Sequence, residues 1–338
     1  MNILSLSRVL AAAALLALLA APAVQAKQIM RVAHGGPDSS EYAVAYIKFA
    51  EFVKEKTGGE VEVKRFGNNV LGNDRAVTEM CQEGSLDFAN IGQSQLNMFI
   101  PTVVAMDFPF IADASKNEQF LEAFNYKTGP LYKYLDEKLN RIGLKLIMTI
   151  DSGFRSYAFS KQREISDLAS LKGLKVRTTM SPVEMAFVNA VGMNPCPLSM
   201  SETYAALQQG TVDGELINYT TIKAMSRAEV EKSIYLSRHN QARMFAVMNK
   251  AKFDALSPEM QEIILSAGDE AQRIEWHNVQ KMEDEGLRYC RENGFNIVEP
   301  SADDMAKLRE LCTSIPDDFV KKGEIDPVFL QLMRDAQK

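Results

Sequence analysis

Apolar positions along the chain follow two periods, one typical of strands and the other of helices. Residues 41–56 carry apolar side chains at helical spacing and stop at Gly58-Gly59, and residues 74–82 predict a shorter helix. Three segments predict strands: residues 28–33, 61–66 and 86–91. The order strand, helix, strand, helix, strand is typical of a parallel sheet with crossover helices.

A second group of the same kind follows residue 140. Strands are predicted at residues 144–150, 154–160, 175–178 and 214–217. Helices are predicted at residues 131–140, 182–191 and 201–209. Because the two groups repeat the same arrangement, we expect two lobes, with the chain crossing between them near Ile150.

The longest helical pattern starts at Ser257-Pro258-Glu259, where serine caps the helix, proline suits its first position and glutamate complements its dipole. It continues to Gly294, and about 35 residues at 1.5 Å each would span roughly 50 Å. That length exceeds one lobe, so we expect the helix to lie across both. A final helix is predicted over residues 326–336.

The first 26 residues are typical of an export signal. They carry one charge, Arg8, followed by an unbroken apolar run over residues 9–21 and the small-residue pattern Val24-Gln25-Ala26. The run is shorter than the ~20 residues that a membrane-spanning helix needs. We therefore expect cleavage after Ala26 and a periplasmic mature chain without stable membrane insertion. An uncleaved N-terminal anchor is the alternative.

The charge balance and the absence of known motifs argue against several classes of function. The 38 Lys and Arg residues face 44 Asp and Glu residues, which leaves no basic excess for a nucleic-acid partner. The sequence contains no GxSxG, GxGxxG, P-loop, HExxH or EF-hand spacing. We therefore predict that the protein is not an enzyme and uses no cofactor or metal.

Four cysteines lie in the chain: Cys81, Cys196, Cys290 and Cys312. None has the spacing of a zinc site or a redox pair. In an oxidising periplasm Cys290 and Cys312, the closest pair in sequence, could form a disulfide. Free buried thiols are the other interpretation, and the sequence leaves the two open.

Two arginines are candidates for ligand binding. Arg155 follows a glycine turn in Gly153-Phe154-Arg155, and Arg177 lies near the carboxyl end of an apolar strand. Ligands of open α/β sheets bind at the carboxyl ends of strands, and a guanidinium can hold a carboxylate through two parallel hydrogen bonds. An ordinary salt bridge at a strand edge is the competing interpretation.

The chain resembles the solute-binding subunits of tripartite ATP-independent periplasmic (TRAP) transporters of the dicarboxylate- and sialate-binding type. The resemblance covers nearly all of the chain after residue 26. It rests on these segments: Met30–His34, Glu41–Gly59, Leu71–Arg75, Gly84–Phe88, Gly153–Arg155, Leu171–Arg177, Asn194–Pro197 and Ser201–Gly214. It implies a periplasmic-binding-protein-like α/β fold with two lobes, a hinge and a long helix spanning both.

The resemblance also implies ligand-binding positions. Arg177 would form a salt bridge with the ligand carboxylate and Arg155 would supply a second contact. The other implied pocket positions are His34, Asp74, Gly92 and Met200. It further implies lobe I at residues 27–149 and about 238–277, and lobe II at about 150–237 and 278–338.

Three positions depart from the pattern of the relatives. Ile217 stands where relatives carry an asparagine, Gly92 where sialate binders carry a glutamate, and Phe154 replaces a small polar residue. Because a pocket that lacks polar partners disfavours a polyhydroxy acid, we expect a monocarboxylate with an apolar or aromatic body, and not sialate. Asn218 could turn inward and restore one hydrogen bond.

These patterns together predict reversible capture of a small organic acid between the lobes and its delivery to the membrane subunits of a TRAP permease. A periplasmic ligand-sensing subunit of a signalling system would use the same fold, and the sequence does not separate the two roles. An enzyme acting on a small acid is the third class, disfavoured by the missing motifs.

Overall fold

The computed structural model describes residues 27–338, so the predicted export signal lies outside the described residues. One sheet contains these strands: β1 (Gln28–Ala33), β2 (Val61–Phe66), β3 (Phe88–Gly92), β4 (Leu144–Ser160), β5 (Lys175–Thr178), β6 (Asn194–Pro197), β7 (Gly214–Asn218), β8 (Glu231–Asn249) and β9 (Asn296–Val298). The α-helices of the described range are α1 (Glu41–Lys56), α2 (Asp74–Gln82), α3 (Gln93–Leu96), α4 (Asn117–Ala123), α5 (Pro130–Asn140), α6 (Pro182–Ala190), α7 (Met200–Gln208), α8 (Tyr219–Ala224), α9 (Lys250–Asp254), α10 (Pro258–Glu292), α11 (Ala302–Cys312), α12 (Ile315–Lys321) and α13 (Pro327–Asp335).

The sheet is mixed, with the strand order β2-β1-β3-β8-β4-β7-β5-β6 and β9 beside β8. At one end β1 pairs parallel with β2 and β3, and at the other β5 pairs parallel with β6 and β7. Between these groups β4 and β8 run antiparallel to each other, β8 runs antiparallel to β3, and β4 runs antiparallel to β7, whereas the short β9 pairs parallel with β8. The predicted parallel arrangement is therefore confirmed within each lobe and wrong at the centre, where two long antiparallel strands join the lobes.

The central pair of strands differs most from the sequence prediction. Residues 144–150 and 154–160 were expected to form two strands, but they form the single strand β4, which passes through Gly153 at a positive φ of 80°. The register between β4 and β8 shifts at Asp151 and Gly153, so the strand bends without ending. Strand β8 was not predicted because its middle carries polar residues that break the alternation, although nearly all of them are buried here.

Helix α10 extends over 35 residues and starts where the sequence predicts, with the Ser257 hydroxyl accepting the Met260 N–H at 3.2 Å. It follows β4 from one lobe into the other. Gln272 accepts the Thr149 N–H at 2.7 Å, and Glu283 accepts the Phe154 N–H at 2.7 Å. The expected long helix spanning both lobes is confirmed. Despite this length, none of the helices within residues 27–338 is apolar enough over a sufficient length to cross a membrane.

The C-terminal helices pack on both sides of the predicted lobe boundary. Helices α11 and α12 contact α6, which belongs to the predicted lobe II, whereas α13 contacts α5 of the predicted lobe I. Buried apolar side chains from both sides share one continuous core cluster, which includes Leu135, Phe187, Phe319 and Phe329. The residue boundaries of the lobes therefore stay a prediction.

All four cysteines are free thiols. Cys81, Cys290 and Cys312 are buried, and Cys196 is half-buried. The Cys312 thiol donates to the Leu308 carbonyl of its own helix at 2.9 Å. Of the two interpretations of the sequence, the structure corresponds to free thiols, most of them packed in the interior.

Close packing of α10 requires small residues. At Gly286 an added Cβ would lie 2.5 Å from the carbonyl oxygen of Tyr219, which is backbone and cannot rotate away. We therefore expect Gly286→Ala to lower the free energy of unfolding by about 1–3 kcal/mol, because overpacking outweighs the better helix propensity of alanine. Urea unfolding followed by circular dichroism measures this loss.

The control for this variant is Asn278→Ala, at an exposed position of the same helix. It should leave stability within about 0.5 kcal/mol of the wild type. A Gly286→Ala protein as stable as the control would contradict the close approach of α10 to α8.

Candidate ligand-binding cleft

A cavity of about 260 Å³ lies between the two lobes. Polar side chains from the β1–β3 side of the sheet face it, among them Asp74, Asn90 and Gln95. The opposite wall carries Arg155 and Arg177 from β4 and β5. Both parallel groups end at this cavity, which agrees with the rule that ligands bind at the carboxyl ends of parallel strands.

Arg177 is held rigidly and yet has free hydrogen-bonding capacity. Its side chain is 1% exposed, and its Nε donates to the Leu198 carbonyl at 3.0 Å. Its Nη2 is buried and has no hydrogen-bond partner. A buried donor left unpaired is costly, so this atom marks the place where a ligand acceptor would be most strongly stabilised.

The positive charge of Arg177 is only partly balanced. The nearest carboxylate, Glu215, lies 3.9 Å from Arg177 Nη1 and also accepts a 2.8 Å hydrogen bond from Arg227 Nε. One carboxylate thus serves two guanidinium groups. Burial lowers the pKa of Arg177, and the charges of Glu215 and Glu184 oppose that shift. An anion entering the cavity would complete the balance.

Arg155 lines the same cavity but is already paired. Its Nη1 bonds to Glu184 Oε1, with Ser94 Oγ at 3.3 Å and Asp107 Oδ1 at 3.9 Å. Burial alone would raise the pKa of Glu184, but Arg155 and the two hydrogen bonds from Thr179 outweigh it and hold the pKa below its usual value. The charge of Arg155 is therefore satisfied within the protein before any ligand arrives.

Asp74, the first residue of α2, lines the cavity as the sequence predicts, and its Oδ2 accepts the Gly92 N–H at 3.0 Å. Burial raises the pKa of Asp74, and the Gly92 hydrogen bond and the charge of Arg177 oppose the shift. Gly92 itself is not in the cavity wall. A Cβ there would lie 2.5 Å from Gln95 Oε1, so the space left by this glycine is occupied by the polar side chain of Gln95.

Two other predicted residues lie near the cavity without lining it. His34 is buried and stacks on Tyr46 with ring centroids 5.5 Å apart, and both its ring nitrogens lack partners. Burial, with a smaller effect of Arg65, lowers the pKa of His34 to about 4, which favours the neutral ring. Phe154 is half-buried on β4 beside Arg155 and is absent from the wall. Its replacement of a polar residue therefore removes no hydrogen bond from the cavity itself.

Met200, Ile217 and Asn218 all line the cavity. The strand register pairs Asn218 with Arg155, and the Asn218 amide nitrogen donates to the Ser152 carbonyl. Asn218 thus faces the cavity with its amide nitrogen already engaged. A direct hydrogen bond from Asn218 to a ligand therefore stays a prediction.

Sequence reasoning missed most of the remaining wall. Met98, Met180, Met225 and Met244 line the cavity together with Met200, and we call these five side chains the methionine wall. The amides Asn69, Asn90 and Gln95 form a polar surface on the β1–β3 side. Asn69 and Gln95 follow the carboxyl ends of β2 and β3, which is the signal that could have revealed them. The methionines, spread over separate elements, share no such pattern.

Comparison with known proteins decides the family. The family model described as bacterial extracellular solute-binding protein, family 7, matches residues 32–322. The chain belongs to this family. A curated relative of this family 7 chain is the 2,3-diketo-L-gulonate-binding periplasmic protein YiaO of Escherichia coli, 28% identical over 297 residues, which cover 88% of each chain.

Solved structures resemble this family 7 protein over almost its whole length. The sugar acid binding protein of Advenella mimigardefordensis in complex with galactonate is 28% identical with a TM-score of 0.85, covering 92% of this chain and 97% of that one. A TRAP periplasmic solute binding protein of Desulfovibrio salexigens with bound orotic acid is 26% identical with a TM-score of 0.81, covering 92% and 99%. The predicted resemblance to TRAP solute-binding subunits is confirmed.

The pairing of Arg155 with Glu184 makes a stability prediction for this family 7 protein. We expect Glu184→Ala to cost about 3–5 kcal/mol, because it leaves a buried guanidinium without its main partner. Since the folded-state pKa of Glu184 is lowered, this contribution is present at neutral pH and is lost as the pH falls through that value. Urea unfolding at pH 7 measures it.

A surface pair provides the matched control. Glu262 binds Lys127 at 2.8 Å with its side chain 54% exposed. Glu262→Ala should cost no more than about 1 kcal/mol, because solvent screens the pair. Equal losses in the two variants would show that the Arg155–Glu184 pair is not buried as described.

Proposed function

We propose that the protein captures a small organic monocarboxylate reversibly between its lobes, with Arg177 binding the carboxylate. The observation that supports this most directly is that Arg177, which lines a cavity of about 260 Å³, has a buried Nη2 without a hydrogen-bond partner. Of the three arginines in the wall, Arg155 is paired with Glu184 and Arg75 with Glu79. Within the described part of the chain, residues 27–338, one cationic group of the wall is thus available, which suits one carboxylate.

Closure of the lobes would strengthen this interaction. The strands β4 and β8 join the two lobes, and their register shift at Asp151 and Gly153 supplies a point of bending. When the lobes close, water leaves the cavity and the attraction between guanidinium and carboxylate grows as the local dielectric falls. Binding would therefore be coupled to the closed form, and the captured acid would leave chemically unchanged.

The body of the ligand would contact the methionine wall and the amides. Of the three departures that suggested an apolar ligand, Ile217 lines the cavity, whereas Phe154 does not and the space at Gly92 holds Gln95. The methionine wall adds apolar surface that the sequence did not reveal. A monocarboxylate with an apolar or aromatic body and few hydroxyl groups fits both surfaces, because unpaired hydroxyls against thioethers would be costly.

The relatives support the next step in the pathway of the captured acid. We propose that the mature chain acts in the periplasm and delivers the acid to the membrane subunits of a TRAP permease, as its family implies. The related YiaO is described as a periplasmic binding protein. Capture without chemistry is consistent with a family of solute-binding proteins.

Arg177→Ala tests the carboxylate assignment. Losing one member of an enclosed charge pair costs ~2–5 kcal/mol, so affinity should fall by roughly 30-fold to several thousand-fold in calorimetry. Arg141→Ala is the charge-matched control, since Arg141 is exposed and pairs with Glu137 one helical turn away. Affinity of Arg177→Ala within about threefold of the control would reject the assignment.

A thermal-shift panel tests the ligand class. We define the acid panel as pantoate, orotate, galactonate, glucuronate and sialate, each supplied to the purified protein. A compound that binds only the folded form raises its melting temperature in proportion to the logarithm of concentration over Kd. We expect pantoate or orotate to give the largest shift and sialate none. The largest shift from galactonate, glucuronate or sialate would overturn the proposed apolar body.

A further inference from the structure

We propose that Arg227, which does not line the cavity, positions Arg177 for its ligand by holding Glu215 away from it. This inference rests on the proposed function, because it concerns the availability of Arg177 to a carboxylate. It assigns a role in binding to a residue outside the wall of the cleft.

The strands place a competitor beside Arg177. In the parallel register of β5 and β7, Arg177 lies opposite Glu215, and both side chains are buried, at 1% and 0% exposure. A buried guanidinium and carboxylate on neighbouring strands are well placed to form a short, two-bond pair. Such a pair would occupy the donors that a ligand carboxylate needs.

Arg177 and Glu215 do not form this short pair in the structure. Glu215 Oε2 lies 3.9 Å from Arg177 Nη1, which is too long for a hydrogen bond. The other oxygen, Oε1, accepts from Arg227 Nε at 2.8 Å. The carboxylate is therefore bound to Arg227, and neither residue lines the cavity.

Arg227 is itself well anchored for this role. Its side chain is 3% exposed, and its Nη2 lies 3.2 Å from Met200 Sδ, while its guanidinium lies 5.9 Å from the Tyr204 ring centroid. It opens a short 3₁₀ turn after Ser226, whose φ of 53° is left-handed. These contacts restrict the guanidinium to one orientation, in which it meets Glu215.

A second carboxyl group could compete for Arg227 but is expected to be neutral. Glu231 is 0% exposed. Burial raises the pKa of Glu231 well above its usual value, the charge of Glu215 and a hydrogen bond with Glu215 add to the shift, and Arg227 opposes it. A neutral Glu231 leaves Glu215 as the anionic partner of Arg227.

The test is a double-mutant cycle read by calorimetry with the acid-panel compound that gives the largest thermal shift. Arg227→Met should weaken binding roughly tenfold or more, because the freed Glu215 pairs with Arg177 and the ligand must displace it. Glu215→Gln should strengthen binding, since it removes a negative charge beside Arg177. The double variant Arg227→Met with Glu215→Gln should return to within about threefold of the wild type.

The double variant separates positioning from a merely structural role. If Arg227 only supported the fold, removing Glu215 as well would not restore affinity, so a double variant as weak as Arg227→Met would overturn the inference. Unchanged binding in Arg227→Met would overturn it too. If Arg227→Met does not fold, the double variant can still be tested, because it removes both buried charges and its melting temperature reports whether it folds. A folded double variant that binds much more weakly than the wild type would then overturn the inference.

Failure of this inference is distinguishable from failure of the proposed function. Wild-type protein that binds no compound of the panel, or binding that survives Arg177→Ala, would count against the proposed function and against the inference with it. Binding that requires Arg177 but is indifferent to Arg227 would overturn the inference alone.

Discussion

The cleft depends on a buried guanidinium whose charge the protein balances only in part. Arg177 is nearly inaccessible, is anchored through Nε to a backbone carbonyl and shares its nearest carboxylate, Glu215, with Arg227. Burying an isolated charge is energetically unfavourable, and an anion that enters the cavity would reduce this penalty. The proposed affinity for a carboxylate would thus follow from an electrostatically incomplete arrangement of protein charges.

The long elements of the fold allow this incomplete site to exist between two lobes. Strand β4 carries Arg155 and passes from lobe to lobe without ending, and α10 follows it across. Glu275 accepts the Asp151 N–H at 2.9 Å, and Glu283 accepts the Phe154 N–H at 2.7 Å, so helix side chains satisfy the backbone where the strand register shifts. The crossing point can therefore bend while its polar groups remain paired.

Local patterns predicted the elements that have clear periodicity or clear termini. Helix α10 begins at the predicted serine cap, and β5 has the predicted bounds, since both are signalled within a few residues. Strand β8 escaped prediction because Arg238, Asn240 and Gln241 interrupt its apolar pattern. The neighbours that bury and pair these polar residues are distant in sequence, so no local pattern could reveal them.

The residues of the site could likewise be predicted only where a local motif signals them. Arg177, Asp74 and Met200 lie in the wall as the family resemblance implied. The resemblance did not reveal that Gln95 fills the space beside Gly92, nor that Glu184 already neutralises Arg155. Whether a charged residue is free for a ligand depends on its partners in space, which aligned motifs do not report.

The same distribution of charges bears on how many carboxylates a ligand can carry. A second carboxylate reaching Arg155 would have to compete with Glu184, which also holds two hydrogen bonds from Thr179, and would approach the buried Asp107. Near the first lobe it would meet Asp74, whose Oδ2 is already held by Gly92. Like charges in a site of low dielectric repel strongly. Among the residues that the structure describes, a monocarboxylate would meet one free cation, Arg177, and avoid these anions. The charge pattern therefore supports the proposed monocarboxylate independently of the methionine wall.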